Sequence, residues 1–322
     1  MNNLHKVLVT GGLGFIGSHI VDYFVKNGDD VTIFDNLSSN VLPDKYFDSV
    51  ASVRIGDISD SSTLDAVFSH NYDYIFHFAA NASVPKSIEN EDLNFKSNVV
   101  GTYNIIRKAA KNKSSIILAS TSAIYGEYNG KSVSEEDSTM PISPYGLSKL
   151  IDENLCFHYC RMYGMKFVAF RFFNVYGPRQ RHYVMSDFME KISQANNSTK
   201  NIAMHGTGEE IRDFIYIKDI IRALILPLKY DDMWGEAFNV GFGKGIKIKT
   251  VLDTILEELG HTAYNFSFSG KRRQGDISGL YANINKIRHF EFEPLFDLRN
   301  GIKEFIEAEK KGGLLAKKSI KT

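Results

Sequence analysis

An open, mostly parallel α/β sheet with helices on both faces is predicted by three features of the chain. Short β-branched apolar runs alternate with helical patterns through the first half of the sequence. The first run, Lys6-Val7-Leu8-Val9-Thr10, passes directly into a glycine-rich turn and then a helical pattern reaching Lys26. The second run, Val31-Thr32-Ile33-Phe34, ends on a carboxylate, Asp35. Strands separated by helices form right-handed βαβ units, and such sheets bind ligands at the carboxyl ends of their strands.

The composition narrows the possibilities. A length of 322 residues allows one large domain or two modest ones, and 43% apolar content is ample for a core. Lys+Arg and Asp+Glu balance at 38 each, which argues against nucleic acid or an anionic membrane as the main partner. Cys156 and Cys160 lie four apart on a predicted helix and are expected to be inert core thiols, with no metal site. Met1 to Lys6 lead straight into a strand, and no apolar run reaches about 18 residues, so a cytoplasmic protein is expected.

The glycine turn fits a dinucleotide-binding fingerprint in two registers, Gly12-x-Gly14-x-x-Gly17 and Gly11-x-x-Gly14-x-x-Gly17. Glycines there allow a tight turn and close approach to a pyrophosphate lying on the helix N-terminus. Its weight comes from the strand before it and the helix after it. Asp35 is placed to bond a ribose 2′-hydroxyl and to repel a 2′-phosphate, so the expected cofactor is NAD rather than NADP. A third strand, Ser52 to Asp57, puts Asp57 near an adenine edge. The fourth, Tyr74 to Ala80, ends in small residues that let a cofactor lie against it. Asn94 to Lys111 is helical, and Ser115 to Ala119 is a fifth strand.

Catalytic chemistry is suggested just beyond that fifth strand. Ser120-Thr121-Ser122-Ala123-Ile124-Tyr125-Gly126 puts hydroxyls at the carboxyl edge, where Thr121 can bond a substrate oxygen. Pro141 and Pro144 then mark a loop and a helix start, with Ser143 as N-cap, and the helix runs from Tyr145 to about Tyr163. Tyr145 and Lys149 lie one turn apart on its face. An ammonium there favours the phenolate and is expected to lower the phenol pKa toward neutrality, making Tyr145 an acid/base for a substrate hydroxyl. Phe167 to Arg171 is a sixth strand, Val184 to Ala195 a helix, Phe238 to Gly241 a further strand, and Asp297 to Glu309 a terminal helix. A basic tail follows from Lys310.

Thr10-Gly11-Gly12-x-Gly14-Phe15-Ile16-Gly17-Ser18-His19, Asp35-Asn36-Leu37-Ser38, His77-Phe78-Ala79-Ala80, the Thr121 segment, Tyr145-x-x-x-Lys149 and Arg171-Phe172-Phe173-Asn174-Val175-Tyr176-Gly177-Pro178-Arg179 stand in one family order. The chain resembles extended short-chain dehydrogenases/reductases of the nucleotide-sugar epimerase/dehydratase family, with a pattern similar to UDP-glucose 4-epimerases. That resemblance implies a Rossmann NAD-binding domain over residues 1–173, rejoined by segments near 214–242. It implies a smaller α/β nucleotide-sugar-binding domain over 174–322. NAD is then expected against Gly11, Gly14, Phe15, Ile16 and Gly17, and against Asp35, Asn36, Ser38, Asp57 and Ile58. Phe78, Ala79, Ala80, Asn98 and Phe172, with Tyr145 and Lys149, complete the implied cofactor contacts. The substrate side is implied at Ser83, Ser122 and Tyr145 for the sugar, and at Asn174, Arg212, Arg273 and Asp276 for the nucleotide diphosphate and its ribose. Leu280 matches the position that screens the C2 substituent. A homodimer is implied, joined through a four-helix bundle of Asn94 to Lys111 and Tyr145 to Tyr163.

In the resembled family Tyr145 removes the sugar 4-hydroxyl proton while hydride passes from C4 to NAD. The 4,6-dehydratases carry an Asp-Glu pair after the Ser/Thr, and the decarboxylases keep the Glu. Here those positions are Ser122 and Ala123, and a methyl group transfers no proton. The remaining set, Thr121, Tyr145, Lys149 and NAD, suffices for C4 epimerisation of a UDP-sugar, the keto sugar turning over before hydride returns. Phe172 replaces a Tyr typical of hexose epimerases, and Leu280 is intermediate between a bulky Tyr and a small Ser. Hexose, N-acetylhexosamine and uronic acid all stay open as the sugar. An atypical dehydratase or decarboxylase is the alternative reaction, and a catalytically silent NAD-binding sensor the remote one.

Overall fold

The computed structural model describes residues 4–39, 42, 44–47, 49–194, 201–260, 265–271, 275 and 277–312. Its centre is a seven-stranded sheet. The first five strands are β1 (Lys6–Thr10), β2 (Asp30–Asp35), β3 (Ser52–Ile55), β4 (Tyr74–His77) and β5 (Ser115–Thr121). A short β6 (Lys131–Val133) lies outside this sheet, and β7 (Phe167–Phe172) and the Ala237–Val240 strand complete it. Every pairing is parallel, in the order Ala237–Val240, β7, β5, β4, β1, β2, β3. The chain builds outward from β1 to β3, then returns to the other side of β1 for β4. The reversal opens a crevice beyond Thr10 and His77, where such sheets take their ligands.

Burial explains the pattern of the strands. Side chains alternate between faces, so a sheet covered on both sides reads as continuous apolar residues. Val7 and Val9 enter one core cluster and Leu8 the other. Ile117, Val168 and Phe170 join the first, while Ile116, Leu118, Phe167 and Ala169 join the second. The first core continues into the residues after β7, drawing in Phe188, Phe214, Leu252 and Phe305. Smaller parallel pairs accompany it: Asn174–Tyr176 with Phe214–Tyr216, Asn201–Met204 with Asn265–Phe268, and β6 with Leu280–Ala282. Among the described residues no helix is long and apolar enough to cross a membrane.

Several element ends differ from the sequence expectation. The fourth strand ends at His77, its last ladder bond running from Phe78 N–H to the Thr10 carbonyl at 3.0 Å. The third ends at Ile55, with Gly56 N–H closing the ladder on the Asp35 carbonyl. The helix expected from Asn94 is three pieces: Glu91–Phe95, a π turn at Lys96–Val100, and Gly101–Asn112. The terminal helix runs over Leu298–Gly312, past Glu309. Ser143 caps Pro144–Tyr163 as expected, accepting from Gly146 N at 3.1 Å, and Gly164 closes the helix at φ +64°. Cys156 and Cys160 are buried, and burial raises both thiols, Cys160 to about 12.

One buried ion pair ties that helix to the sheet. Arg171 donates from Nε and Nη2 to Glu153, the Nη2–Oε2 distance being 2.9 Å. Its Nη1 donates to Tyr125 Oη, which donates on to Asn239 Oδ1. Both side chains of the pair are 10% exposed. Removing one partner strands the other charge, so Glu153→Ala is expected to lose about 3–5 kcal/mol of stability. Urea unfolding of the variant beside the parent measures this, and an unshifted midpoint would contradict it.

Candidate active site

The crevice begins at the turn after β1. Gly11 sits at φ +69°, and a Cβ there would lie 2.7 Å from Ala79 N. A Cβ on Gly17 would lie 2.2 Å from the Gly11 carbonyl oxygen. Only glycine permits this closeness of turn, helix and the segment after β4. Gly14 caps the Phe15–Lys26 helix with no side-chain hydrogen bond, leaving the first-turn N–H groups and the positive end of the helix dipole to an anion. Phe15 and Ile16 open that helix and are half-buried.

Asp35 lies at the end of β2, accepting from Leu13 N and Leu37 N at 3.0 and 2.8 Å. Burial raises its carboxyl, and the backbone donors oppose that. Leu37 takes φ +60°, turning the chain so that exposed Asn36 donates to Asp57 Oδ2 at 3.0 Å. Exposed Ser38 N donates to Asn36 Oδ1. Ile58 is buried beneath the bare face of Gly101. Phe78, Ala79 and Ala80 are half-buried beyond β4. Asn98 is buried and clamps this loop: it accepts from Asn81 N at 2.7 Å and donates to Ser148 Oγ at 2.8 Å on the next helix.

Thr121 and Phe172 end neighbouring strands in register. The Thr121 hydroxyl accepts from Ala123 N at 3.2 Å and faces the Tyr145 phenol. Tyr145 N donates to Ser87 Oγ at 3.1 Å, pinning the start of the Pro144–Tyr163 helix. The expected lowering of the Tyr145 pKa is not found. Burial pushes the phenol up to about 12, the bond with Thr121 opposing it and the charge of Asp152 adding to it. Lys149 is buried, and its Nζ donates to Asp152 Oδ2 at 2.7 Å, so its charge is balanced there. His77 bonds Thr10 Oγ1 at 2.7 Å and Thr102 Oγ1 at 3.0 Å. Burial, with Lys149 adding, lowers its pKa to about 3, which keeps the ring neutral.

The residues expected to meet substrate are spread over several elements. Ser83 caps the Val84–Glu89 helix, accepting from Lys86 N at 3.3 Å, and Ser122 opens the short turn after β5. Gly275, at φ +76°, lies over Val84, Ile88 and Ser143. Arg273 and Asp276 of that loop lie outside the described residues. Asn174 donates from its backbone and side-chain nitrogens to the Asp213 carbonyl. Arg212 donates to the carbonyls of Ile211 and Ile277 at 2.8 and 2.9 Å. Leu280 is buried in the core, 2% exposed, and presents almost no surface to a ligand. Asp213 gathers these pieces, accepting from Phe242, Gly243 and Ala282 N–H groups. Burial raises its carboxyl to about 6 against those bonds.

Two residues at the site escaped sequence reasoning. Tyr183, at φ +77°, donates from Oη to the Ala82 carbonyl at 2.7 Å and neighbours Tyr145. No spacing singles it out. Asp152 was legible in principle, three residues after Lys149 on the same helical face.

A family model described as the NAD dependent epimerase/dehydratase family matches residues 7–241, the span from β1 to the last strand of the sheet. The chain belongs to this family. Among similar proteins is a putative UDP-glucose 4-epimerase of Methanocaldococcus jannaschii, 34% identical over 310 residues, covering 93% of this chain and 97% of that protein. The solved UDP-glucose 4-epimerase of Thermotoga maritima with UDP-glucose superposes with a TM-score of 0.86 at 32% identity, covering 95% and 99% of the two chains. That of Thermus thermophilus, in complex with NAD, gives 0.85 at 29% identity over the same shares. NAD is therefore the cofactor of this epimerase/dehydratase family member, and the open helix N-terminus and Asp35 suit its pyrophosphate and ribose. The sheet is Rossmann-type, as its alternation of strands and helices implied.

Proposed function

We propose that the enzyme epimerises a UDP-sugar at C4 through a transient 4-keto sugar. The observation that carries this reading is the turn after Thr121, where Ser122 and Ala123 offer no carboxylate to eliminate water or to assist loss of carbon dioxide. Bound NAD supplies the hydride acceptor and donor. Tyr145 takes the proton of the 4-hydroxyl and returns it, with Thr121 orienting the same oxygen. Lys149 supplies the buried positive charge beside that phenol. Gly11, Gly14 and Gly17 hold the pyrophosphate of NAD, and Asp35 its ribose. Asn174, Arg212, Arg273 and Asp276 hold the nucleotide diphosphate, for which an arginine fork is suited. Ser83 and Ser122 meet the sugar. The half-buried Thr121 and Tyr145, facing each other at the strand edge, support this division of labour.

The working unit is a homodimer in this reading. Phe95, Leu147, Phe157, Met162 and Tyr163 are large apolar residues left exposed on the two segments expected to pair. Packing of these helices against a second copy makes a four-helix bundle.

Two measurements check these claims. Tyr145→Phe keeps the ring and removes the acid/base, so kcat is expected to fall about 10²–10⁴-fold. Turnover equal to the parent would remove Tyr145 from the chemistry. Size-exclusion chromatography with light scattering is expected to give twice the chain mass, and Phe157→Glu to give a single chain. A monomer in the parent would refute the dimer.

A further inference from the structure

The catalytic helix carries a third polar group on the stripe of Tyr145 and Lys149. Asp152 lies three residues beyond Lys149 and seven beyond Tyr145, so all three share one face. Its side chain is 0% exposed and that of Lys149 is 3% exposed. Lys149 Nζ donates to Oδ2 at 2.7 Å, and the Thr102 hydroxyl faces the same carboxylate. A fully buried carboxylate is an expensive way to fill a core position. Its placement beside the lysine and two turns from Tyr145 points to an electrostatic task.

The groups facing it fix what that task is. On its own helix stand Lys149, Glu153 and Cys156. Glu153 is committed to Arg171 from β7, and the Cys156 thiol is pushed well above its ordinary value by burial. The Gly101–Asn112 helix presents Thr102, whose hydroxyl also bonds the neutral His77 of β4. Around Tyr145 stand Thr121 of β5, Tyr183 and, at its backbone, Ser87. By helix spacing Lys149 lies one turn from Tyr145, and the charge of Asp152 raises the phenol.

We propose that Asp152 is a positioning residue that holds the Lys149 ammonium and cancels part of its field at Tyr145, setting the pH at which the phenol releases its proton. This rests on the reading of Tyr145 as acid/base. The sign follows from charge: Lys149 favours the phenolate and Asp152 favours the protonated phenol. Neutralising Asp152 therefore makes the phenol more acidic and moves the acid limb of activity to lower pH.

Asp152→Asn keeps the shape and one acceptor for Lys149. In the holoenzyme, the acid-side midpoint of kcat/KM against pH is expected to fall by about one unit or more. Asp152→Glu, which keeps the charge, is expected to retain the parent midpoint. Ultraviolet titration of tyrosinate, taken as each protein minus its Tyr145→Phe counterpart, reads the same phenol with no substrate present. It separates a wrong role for Asp152 from a wrong reaction, because it moves with Asp152 whatever the sugar chemistry. If Asp152→Asn does not fold, Asp152→Ser carries the same comparison. A Tyr145 titration that stays in place or moves upward in the neutral variant would overturn the proposal and leave Asp152 as a filler of space.

Discussion

The anchorage of the Pro144–Tyr163 helix governs the rest of the site. Its Glu153 is gripped by Arg171 of β7, its Ser148 by Asn98, and its first turn by Ser87. Three bonds to three different elements leave the helix no freedom to rotate. A small rotation would carry the Tyr145 phenol away from Thr121, and proton transfer is sensitive to displacements of about an ångström. The strength of the Arg171 fork comes from burial and from its link to Tyr125 and Asn239, which pulls the last sheet strand into the same network.

The opposite side of the crevice is set by sterics rather than charge. Gly11, Gly17 and the backbone of Ala79 occupy a volume that leaves no room for a side chain. That contact brings the cofactor turn and the segment after β4 together at the switch point of the sheet. The catalytic helix then closes the crevice from the β5 side. A dinucleotide laid across the switch point would meet both walls. The buried residues farther along the chain, Asp213 above all, hold the strands that face this crevice from the substrate side.

Much of this was legible in the sequence because local rules produced it. Strand, glycine turn and helix follow from steric freedom and periodicity within a short window. The Ser143 cap and the Tyr145–Lys149 spacing are likewise local. What was not legible depends on contacts across the chain. The Tyr145 phenol was expected to be acidified by Lys149, yet the lysine turns to Asp152 and burial dominates. Helix spacing gave the Asp152 position, but its burial needed the packing of Gly101–Asn112 against it. Tyr183 reaches Ala82 over 101 positions of sequence, a distance no local pattern encodes. Leu280 was expected to face the sugar, yet pairing of its strand with β6 buries it in the core.

The central claim is that a turn without carboxylates, beside a Tyr/Lys pair and NAD, performs epimerisation and nothing further. Proton NMR of the purified enzyme with UDP-glucose, UDP-N-acetylglucosamine and UDP-glucuronate in turn, with no NAD added, tests it most directly. The account predicts a second anomeric doublet growing to equilibrium with the rest of the sugar intact, which names the substrate and shows a retained cofactor. A new methyl, alkene or pentose signal would contradict it, because elimination or decarboxylation would then proceed without the acid/base pair at Ser122 and Ala123.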